Sequence, residues 1–557
     1  MTAIRTMLLL IALIPGLTHA QPKTEVKVKV KARMGEFPMG DASIMPTSLI
    51  ASNANAVMLL RNPEFDRRPT TKQEARLELY DRDKLVFLRN LEPAIKGPSN
   101  EKLLLEDLVV FRGKPMLIAR NQRDEEVALF WQHVDPNLTR QPPAFDRICT
   151  FPVQLDEPKP QPKEPGQPKP GTPTRQPFRA IVAGDSSHML LHSAELRDKD
   201  EQRFYLFALV DRTMTVKWQH LLRLDPRAEG VDLVSAMPHT DGSAYVILRN
   251  RSKENAFNGS TSEVVLYRLD AADIAPAQLP LEEGKRPTGG LLMGTRDGAL
   301  AYHGLYATDS RGSAAGNFTC LLPKGSSEWG APWLAPFSGE GLGDGGGRSV
   351  TESSDAEEDE EVKALLKSGK KFEERLDWGT DVAAVLHRSD GGFFIINAVR
   401  FTIVRREQGA RREFLIHYHG PVQARSFDKD GNEQWSTVFQ RWVDSLSPIV
   451  GAPHGVLHGD RLFLFLLDSE NMAALRKAKQ PVTTKDVGVP YSVYAAFDDK
   501  GAFITKSILS SGGAQDLICG ARILTAGKDE HYLLGTGTLN GSTYQPVRID
   551  LIKETAR

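Results

Sequence analysis

The feature that most constrains this chain is a turn motif that recurs along its whole length. An apolar run ends in an acidic residue and a tight turn follows, as in FDKDG at 427–431, with Trp435 seven residues after Asp428. Because one such unit cannot bury its own apolar face, repeated units must stack or close into a ring. Copies of the motif are anchored at residues 81, 135, 211, 270, 322, 428, 498 and 550.

The spacing of the copies indicates eight units of one kind. Trp218 and Trp329 repeat the seven-residue spacing from their anchors, and Thr505 takes that position in the copy at 498. The two longest intervals contain insertions, a proline-rich one at about 156–177 and a Gly-rich, acidic one at about 338–378. A unit of about 50–60 residues, repeated eight times, is the strongest pattern in the sequence.

A second turn lies upstream in each unit and separates two apolar runs. Asp-Gly between such runs favours a two-residue hairpin, because both residues can adopt positive φ. Four antiparallel strands per unit, here named A to D, are the signature of a β-propeller blade. The predicted turns are Asp241-Gly242, Asp297-Gly298, Asp390-Gly391 and Gly459-Asp460, and the β-like runs are 244–248, 263–269, 393–399 and 462–467.

We therefore predict an all-β chain that forms a single β-propeller of about eight four-stranded blades, with seven blades as the alternative. A pair of β-sandwiches is disfavoured, because residues 21–155 hold only two units. Residues 25–32 (EVKVKVKA) alternate with the period of a strand. The last unit ends just after Asp550, where its strand D is due. We predict that the N-terminal strand supplies this strand D and closes the ring; an independent hairpin is the alternative.

The first 20 residues have the pattern of a secretory signal. Arg5 precedes an apolar run at 7–17, and the small residue Ala20 ends the segment. That run is too short to cross a membrane, and no later segment is long and apolar enough to do so. We predict cleavage after Ala20, an exported protein (periplasmic or secreted), and a propeller over residues 21–557.

Composition narrows the function further. Lys and Arg number 70 and Asp and Glu 71, and this balance argues against nucleic-acid binding. Three cysteines, Cys149, Cys320 and Cys519, cannot make a disulfide scaffold or a four-Cys zinc site. We expect them to be buried, with one disulfide and one free thiol as the alternative. Glycosylation sequons, which matter only if the source glycosylates, occur at Asn137, Asn250, Asn258, Asn317 and Asn540.

The long connections are predicted on one face. In a propeller the A–B and C–D turns share one end, and the B–C and D–A connections share the other. Because rigid scaffolds commonly carry their function on loops, we predict the site on the face with the long loops. The B–C insertions are 61–74, 249–262, 400–412 and 468–490, and both large inserts lie between a strand D and the next strand A.

Arginine pairs in two B–C loops are the candidate binding residues. They suit carboxylate, phosphate or sulfate groups through bidentate hydrogen bonds. Surface charge for solubility, or pairing with the acidic insert, is the alternative. That insert is interpreted as a solvated flap, weakly helical over 360–376, and the proline-rich insert as a spacer loop. The candidates are Arg67, Arg68, Arg405, Arg406, Arg411 and Arg412.

Motifs of known chemistry are scarce. The chain contains no Gly-x-Ser-x-Gly, His-Glu-x-x-His or P-loop motif. His417 and His419 share one strand face, and His454 and His458 form a second pair, but no matching third ligand accompanies them. We expect no cofactor and no metal, and we assign no catalytic residue.

The spacing of Asp428, Gly431 and Trp435 resembles the repeat of PQQ-type and related bacterial propellers. In that family the turn largely builds the blade, so the resemblance implies fold more than activity. The adjacent cysteine pair of the quinone-dependent dehydrogenases is absent, as is the lipid-carrying cysteine of the family's outer-membrane assembly propeller. The Asp-box of sialidases is also similar, but its glycine lies one residue closer to the aspartate.

The sequence predicts two alternative functions. The first is an exported, non-catalytic and monomeric propeller whose loop-bearing face binds a protein or a glycan. The alternative is an extracellular carbohydrate-active hydrolase or lyase with its site at the mouth of the central channel. The fold alone does not decide between them, because propellers host unrelated functions.

Overall fold

The structure is a computed structural model with side chains, and it describes most of the chain from residue 28 to residue 553. The described residues are 28–34, 46–61, 75–93, 95–121, 126–141, 143–153, 178–198, 200–225, 230–251, 263–295, 297–308, 314–337, 372–406, 413–445, 451–479, 490–508, 517–525, 530–536 and 544–553. These residues are almost entirely strand, and no helix among them is long and apolar enough to span a membrane.

The strands form eight antiparallel sheets, and each sheet is one blade. The N-terminal strand β1 (Val28–Met34) precedes blade 1, which holds β2 (Pro46–Asn53), β3 (Ala56–Arg61), β4 (Arg76–Asp81) and β5 (Phe87–Leu91). Blade 2 holds β6 (Leu103–Phe111), β7 (Lys114–Asn121), β8 (Val127–His133) and β9 (Asp146–Phe151). Blade 3 holds β10 (Arg179–Val182), β11 (His188–His192), β12 (Leu196–Arg197), β13 (Arg203–Asp211) and β14 (Val216–Arg223). Blade 4 holds β15 (Gly230–Pro238), β16 (Ala244–Arg251), β17 (Glu263–Leu269) and β18 (Ile274–Pro276).

The second half of the chain continues the series. Blade 5 holds β19 (Arg286–Gly294), β20 (Leu300–Ala307), β21 (Gly316–Leu322) and β22 (Trp333–Pro336). Blade 6 holds β23 (Phe372–His387), β24 (Phe393–Arg406), β25 (Glu413–Phe427), β26 (Glu433–Phe439) and β27 (Val443–Ser445). Blade 7 holds β28 (His454–His458), β29 (Arg461–Ser469), the helix α1 (Glu470–Lys477), β30 (Pro490–Phe497) and β31 (Phe503–Ser507). Blade 8 holds β32 (Leu517–Thr525), β33 (Glu530–Thr536) and β34 (Tyr544–Lys553).

The blades close into a ring, and the first strand of each blade lies innermost. First strands of neighbouring blades contact one another from blade 1 to blade 7, and β32 of blade 8 contacts β2 of blade 1 on one side and β29 and β30 of blade 7 on the other. The core is divided accordingly: one buried apolar cluster fills each of the eight junctions between neighbouring blades. The prediction of eight four-stranded blades is confirmed.

The N-terminal strand completes the last blade. β1 pairs antiparallel with β34, from Val28 opposite Lys553 to Met34 opposite Val547. Val28 and Val30 pack against the apolar cluster between blades 7 and 8, whereas Lys31 is exposed on the open edge. A lysine on an edge strand discourages pairing with another chain. The predicted closure is therefore confirmed over residues 28–34, and residues 25–27 lie outside the described part.

The recurring aspartate builds the turn between strands C and D. Oδ1 of Asp428 accepts hydrogen bonds from the backbone N–H groups of Asp430 and Asn432, at 2.9 and 2.8 Å. Gly431 lies in the left-handed region at φ 81°, which a residue with a Cβ rarely adopts. The same carboxylate capping recurs at Asp81, Asp211 and Asp498. The motif is thus a structural device of the turn.

The upstream Asp-Gly turns were predicted as two-residue hairpins, and in blades 4, 5 and 6 this is wrong. In blade 4 five residues, 239–243, connect β15 to β16, and only Gly242 among them has positive φ. The Asp241 carboxylate instead accepts the Ser243 N–H at 2.8 Å, so the aspartate caps a longer turn. Gly298 and Gly391 repeat the arrangement. In blade 7 the prediction is confirmed, because Gly459 and Asp460 form the turn at φ 54° and 62°.

Tryptophans on outer strands pack against the next blade. Trp435 of β26 stacks on Phe497 of blade 7, with ring centroids 5.6 Å apart and an interplanar angle of 5°. Trp218 of β14 packs on Leu269 of blade 4. Trp329 was predicted to repeat this position in blade 5, but it lies in the connection 323–332; Trp333 of β22 takes the place and packs over Gly431 of blade 6.

Other sequence predictions have mixed outcomes. The weak helix expected over 360–376 is wrong for 372–376, which begin β23, and its remaining residues lie outside the described part. Cys149 and Cys320 are buried free thiols, and burial raises both pKa values to about 12. Asn317 is buried and bonded to Asn397, so its sequon is inaccessible in the folded protein.

Candidate functional site

The two ends of the propeller differ in how much chain they carry. We call the end with the B–C and D–A connections the loop end, and the other the turn end. The strands on either side of both large inserts, 152–178 and 337–371, join them at the loop end, and the same holds for the B–C connections 62–75, 252–262 and 470–489. Two C–D connections, 134–145 and 323–332, are long as well and lie at the turn end.

Blade 6 is the most extended blade at the loop end. Its strands β23, β24 and β25 have 16, 14 and 15 residues, whereas strands elsewhere have ten or fewer. The predicted B–C loop at 400–412 is therefore too long: Arg405 and Arg406 belong to β24, and only 407–412 connect the strands. In the strand register Arg405 lies opposite Glu373. The other four candidates, Arg67, Arg68, Arg411 and Arg412, lie outside the described residues.

Three charged side chains form a triad around Asp381, which lies on the innermost strand of blade 6. Asp381 of β23 accepts a hydrogen bond at 2.6 Å from Nη2 of Arg249, which comes from blade 4. It also accepts one at 2.8 Å from Nε of Arg400 on β24. The Arg249 side chain passes over Gly289 of blade 5, where a Cβ would lie only 2.9 Å from Nη2. The triad thus links blades 4 and 6 across blade 5.

The triad keeps Asp381 ionised. Burial alone would raise the pKa of this carboxyl, but the guanidinium groups of Arg249 and Arg400 outweigh burial and lower the pKa to about 2. The Arg400 side chain is 56% exposed, so one side of the triad is open to solvent. Sequence analysis missed Asp381, because its position next to an arginine from two blades away leaves no local signal.

Beside the triad lies a buried histidine among cationic groups. His419 of β25 lies directly opposite Arg400 in the strand register. Burial, together with Arg441 and other nearby cationic groups, lowers the pKa of His419 to about 3, so the imidazole is neutral at physiological pH. Arg441 is itself buried and donates to the carbonyls of Gly420, Leu467 and Gly451. No group of three metal-ligating side chains occurs among the residues described.

A cleft of about 380 Å³ opens at the turn end, between blades 6 and 7. No site was predicted at the turn end from the sequence. Trp435 and Phe497 lie at its base, and charged side chains of both signs surround them. The charged and polar lining residues are Arg388, Asp390, Gln434, Asp460, Arg461, Asp498 and Asp499.

The A–B turn beside this cleft is short. The A–B turn of blade 7 has two residues, Gly459 and Asp460, as do those of blades 1 and 2, whereas those of blades 3 to 6 have five. Trp435 lies between this short turn and the C–D turn of blade 7, where a Cβ on Gly501 would lie 2.7 Å from the indole ring. Asp460 reaches back to blade 6 and accepts the Ser389 N–H at 2.7 Å, so the two blades are tied at the rim of the cleft.

No family model matches the sequence, and a search of curated proteins found no match. Among solved structures, the WD40 domain of SCAP from fission yeast is 7% identical, with 94% of each chain covered and a TM-score of 0.33. The polysaccharide lyase Uly1 is 11% identical, with 91% of this chain and 100% of that chain covered and a TM-score of 0.33. The β-propeller domain of the Trilobed protease from Pyrococcus furiosus is 10% identical, with 72% and 95% covered and a TM-score of 0.28. At these values the similarities carry no conclusion about activity.

Proposed function

We propose that the chain is an exported binding protein whose loop end engages a protein or a glycan through anionic groups of that partner. The observation that carries the proposal is the extension of blade 6 at the loop end, in the part of the sequence that holds four of the predicted arginines. Its extended strands position Arg400, Arg405 and Arg406, and the predicted arginines 411 and 412 belong to the connection between them. Guanidinium groups suit carboxylate, phosphate and sulfate partners because they form bidentate hydrogen bonds.

Asp381 is not a candidate for the acid of a carbohydrate-active hydrolase, the alternative function. A glycosidase needs one carboxyl group that remains protonated at working pH to act as an acid. Asp381, on the innermost strand, has its pKa lowered to about 2 by two arginines, so it is ionised and neutralised by its neighbours. Such a carboxylate orients Arg249 and Arg400 and is unsuited to proton donation.

Export and family membership belong to this proposal as well. The pattern of residues 1–20 supports cleavage after Ala20, and the Asp428-to-Trp435 turn supports a relation to PQQ-type bacterial propellers. The export proposal predicts a mature protein that begins at Gln21. N-terminal sequencing of protein recovered outside the cytoplasm tests it, and a retained Met1 would contradict it.

The binding proposal is tested on surfaces coated with defined anionic polymers: polygalacturonate, dextran sulfate and poly-L-glutamate. We expect the full mature protein to bind at least one of them. Replacing Arg405, Arg406, Arg411 and Arg412 with Gln is expected to weaken that binding by tenfold or more, because several charge-assisted hydrogen bonds are lost.

A charge-matched variant provides the control. Lys114, Lys324, Lys429 and Lys500 are exposed at the turn end, and their replacement with Gln removes the same net charge. This control variant is expected to bind like the unchanged protein. Equal losses in the two variants would show that binding follows net charge alone and would overturn the assignment to the loop end.

A further inference from the structure

The cleft at the turn end is explained by a comparison of two blade junctions. Between blades 3 and 4, Nε1 of Trp218 donates a hydrogen bond of 2.8 Å to the carbonyl of Gly242, in the five-residue A–B turn of blade 4. Between blades 6 and 7, Trp435 occupies the corresponding place on the outer strand. The A–B turn it faces has only two residues, Gly459 and Asp460.

Trp435 consequently keeps an unused donor. Its ring stacks on Phe497 and packs against Phe394, so the indole is fixed in position. No residue in the described part of the chain accepts a hydrogen bond from its Nε1. Trp435 lines the cleft, and an indole N–H that finds no protein acceptor requires water or a ligand.

The walls of the cleft are ordered by contacts between side chains. Arg388 donates to Gln434 at 2.8 Å and to Ser426 at 3.1 Å, and its guanidinium lies over the Phe394 ring. On the opposite wall Nε of Arg461 donates to the Phe497 carbonyl at 3.4 Å. Positioned walls of this kind reduce the entropy that a ligand must lose on binding.

The cleft is lined by more carboxylates than guanidinium groups, and three of the carboxylates accept hydrogen bonds within the protein. Asp390 accepts from Arg388 at 3.0 Å, Asp460 accepts from Ser389, and Oδ1 of Asp498 accepts the backbone N–H groups of Lys500 and Ala502. An anionic ligand is therefore disfavoured. The side chains around the cleft include both hydrogen-bond donors and acceptors. Ligand hydroxyl groups suit such a lining, because a hydroxyl group both donates and accepts.

We propose that this cleft binds a sugar unit of a neutral glycan, with the N–H of Trp435 as a donor to one of its hydroxyl groups. The cleft volume of about 380 Å³ is at the small end of the range for ligand sites, which suits one or two sugar units. This site lies at the opposite end of the propeller from the proposed anion-binding surface, and either site stands if the other fails.

The full mature protein, labelled with 5-fluorotryptophan, provides the test. The chain has seven tryptophans, and the ¹⁹F resonance of Trp435 is assigned as the one that disappears in W435F. Maltotriose, cellotriose, xylotriose and N-acetylchitotriose are titrated in turn. We expect at least one of them to shift the Trp435 resonance in a saturable manner, while the Trp218 resonance stays in place.

Calorimetry with the active oligosaccharide measures the contribution of the donor. W435F keeps an aromatic ring against Phe497 and is expected to weaken binding roughly three- to tenfold, the loss of one neutral hydrogen bond. W218F is the matched control and is expected to leave the affinity unchanged. Thermal unfolding of both variants verifies that they are folded.

Two results would overturn the proposal. One is the absence of any shift of the Trp435 resonance with all four oligosaccharides at millimolar concentration. The other is a shift with Nα-acetyl-lysine amide alone, which would identify a cleft for cationic side chains of a protein. Equal affinities of W435F and the unchanged protein would remove Trp435 from the site.

Discussion

The junction between blades 3 and 4 and the junction between blades 6 and 7 share one motif but differ in what covers it. Each has an aspartate-capped turn and a tryptophan seven residues later, and each tryptophan is buried against the next blade. At the first junction a five-residue turn accepts the indole N–H; at the second a turn three residues shorter does not reach it. The comparison shows that the same tryptophan packing recurs at two junctions, but among the described residues the indole N–H has an acceptor only at the first.

The largest expected effect on stability comes from removing the buried tryptophan that both junctions share. Trp218→Ala and Trp435→Ala are each expected to destabilise the fold by about 3–5 kcal/mol, because each removes a large buried ring. Urea unfolding measures both. Leu88→Ala, at an exposed position, is the control and is expected to change stability by less than about 0.5 kcal/mol. A large loss in only one tryptophan variant would break the analogy between the junctions.

Asp381 at the loop end differs from the aspartates of the turns, because its carboxylate accepts hydrogen bonds from arginines and not from backbone N–H groups. Asp381→Asn is expected to cost about 2 kcal/mol at neutral pH, from the lowering of its pKa from 3.8 to about 2. Because the folded-state pKa is lowered, this stabilisation is present above pH 3.8 and is lost as pH falls to about 2.

Unfolding curves of the unchanged protein and of the Asp381→Asn variant across this pH range measure the effect. The difference in unfolding free energy should shrink as the pH approaches 2. A difference that is independent of pH would show that the arginines do not stabilise the ionised form. The control Asp428→Asn, in an exposed turn, is expected to show a smaller difference throughout.

Removing the indole N–H is expected to have a smaller effect on stability, and the effect should differ between the two junctions. Trp218→Phe leaves the Gly242 carbonyl without its donor and is expected to cost about 1 kcal/mol beyond the change in ring size. Trp435→Phe removes a donor that has no acceptor among the described residues and is expected to cost less than that. Equal costs for the two variants, measured by urea unfolding, would show that Trp435 also makes a stabilising hydrogen bond.

The smallest expected effect on stability comes from exchanging the turns. Replacing Gly459-Asp460 with the sequence HTDGS from 239–243 is expected to change stability by about 1 kcal/mol or less, because both turns occur between strands of the same fold. It should abolish any oligosaccharide-induced shift of the Trp435 resonance. A shift that persists would show that the short turn is not the cause of the cleft.

The architecture could be predicted from the sequence because it rests on local signals repeated eight times. Aspartate-capped turns, alternating strands and the unfinished last unit together predict the blade count and the closure by β1. The Asp-Gly turns were misjudged in blades 4 to 6, because the Asp241 side chain bonds to the backbone and the residue does not adopt positive φ. Trp329 was mistaken for Trp333 because spacing alone does not show where β22 begins.

The sites were harder to predict, since they depend on residues that are distant in sequence. Arg249 and Asp381 are separated by 132 positions and by one whole blade. The cleft lies beside a turn that is three residues shorter than the A–B turns of blades 3 to 6, and this difference is visible only when the blades are compared. The arginine pairs stay a prediction, and the strands of blade 6 extend further than the loop prediction allowed.

Hydrogen exchange of the two indole N–H groups tests the central comparison most directly. Measured on the folded protein by NMR, with assignments from the W218F and W435F variants, the Trp218 indole should be strongly protected and the Trp435 indole should exchange rapidly with solvent. Equal protection of the two would contradict an open junction between blades 6 and 7.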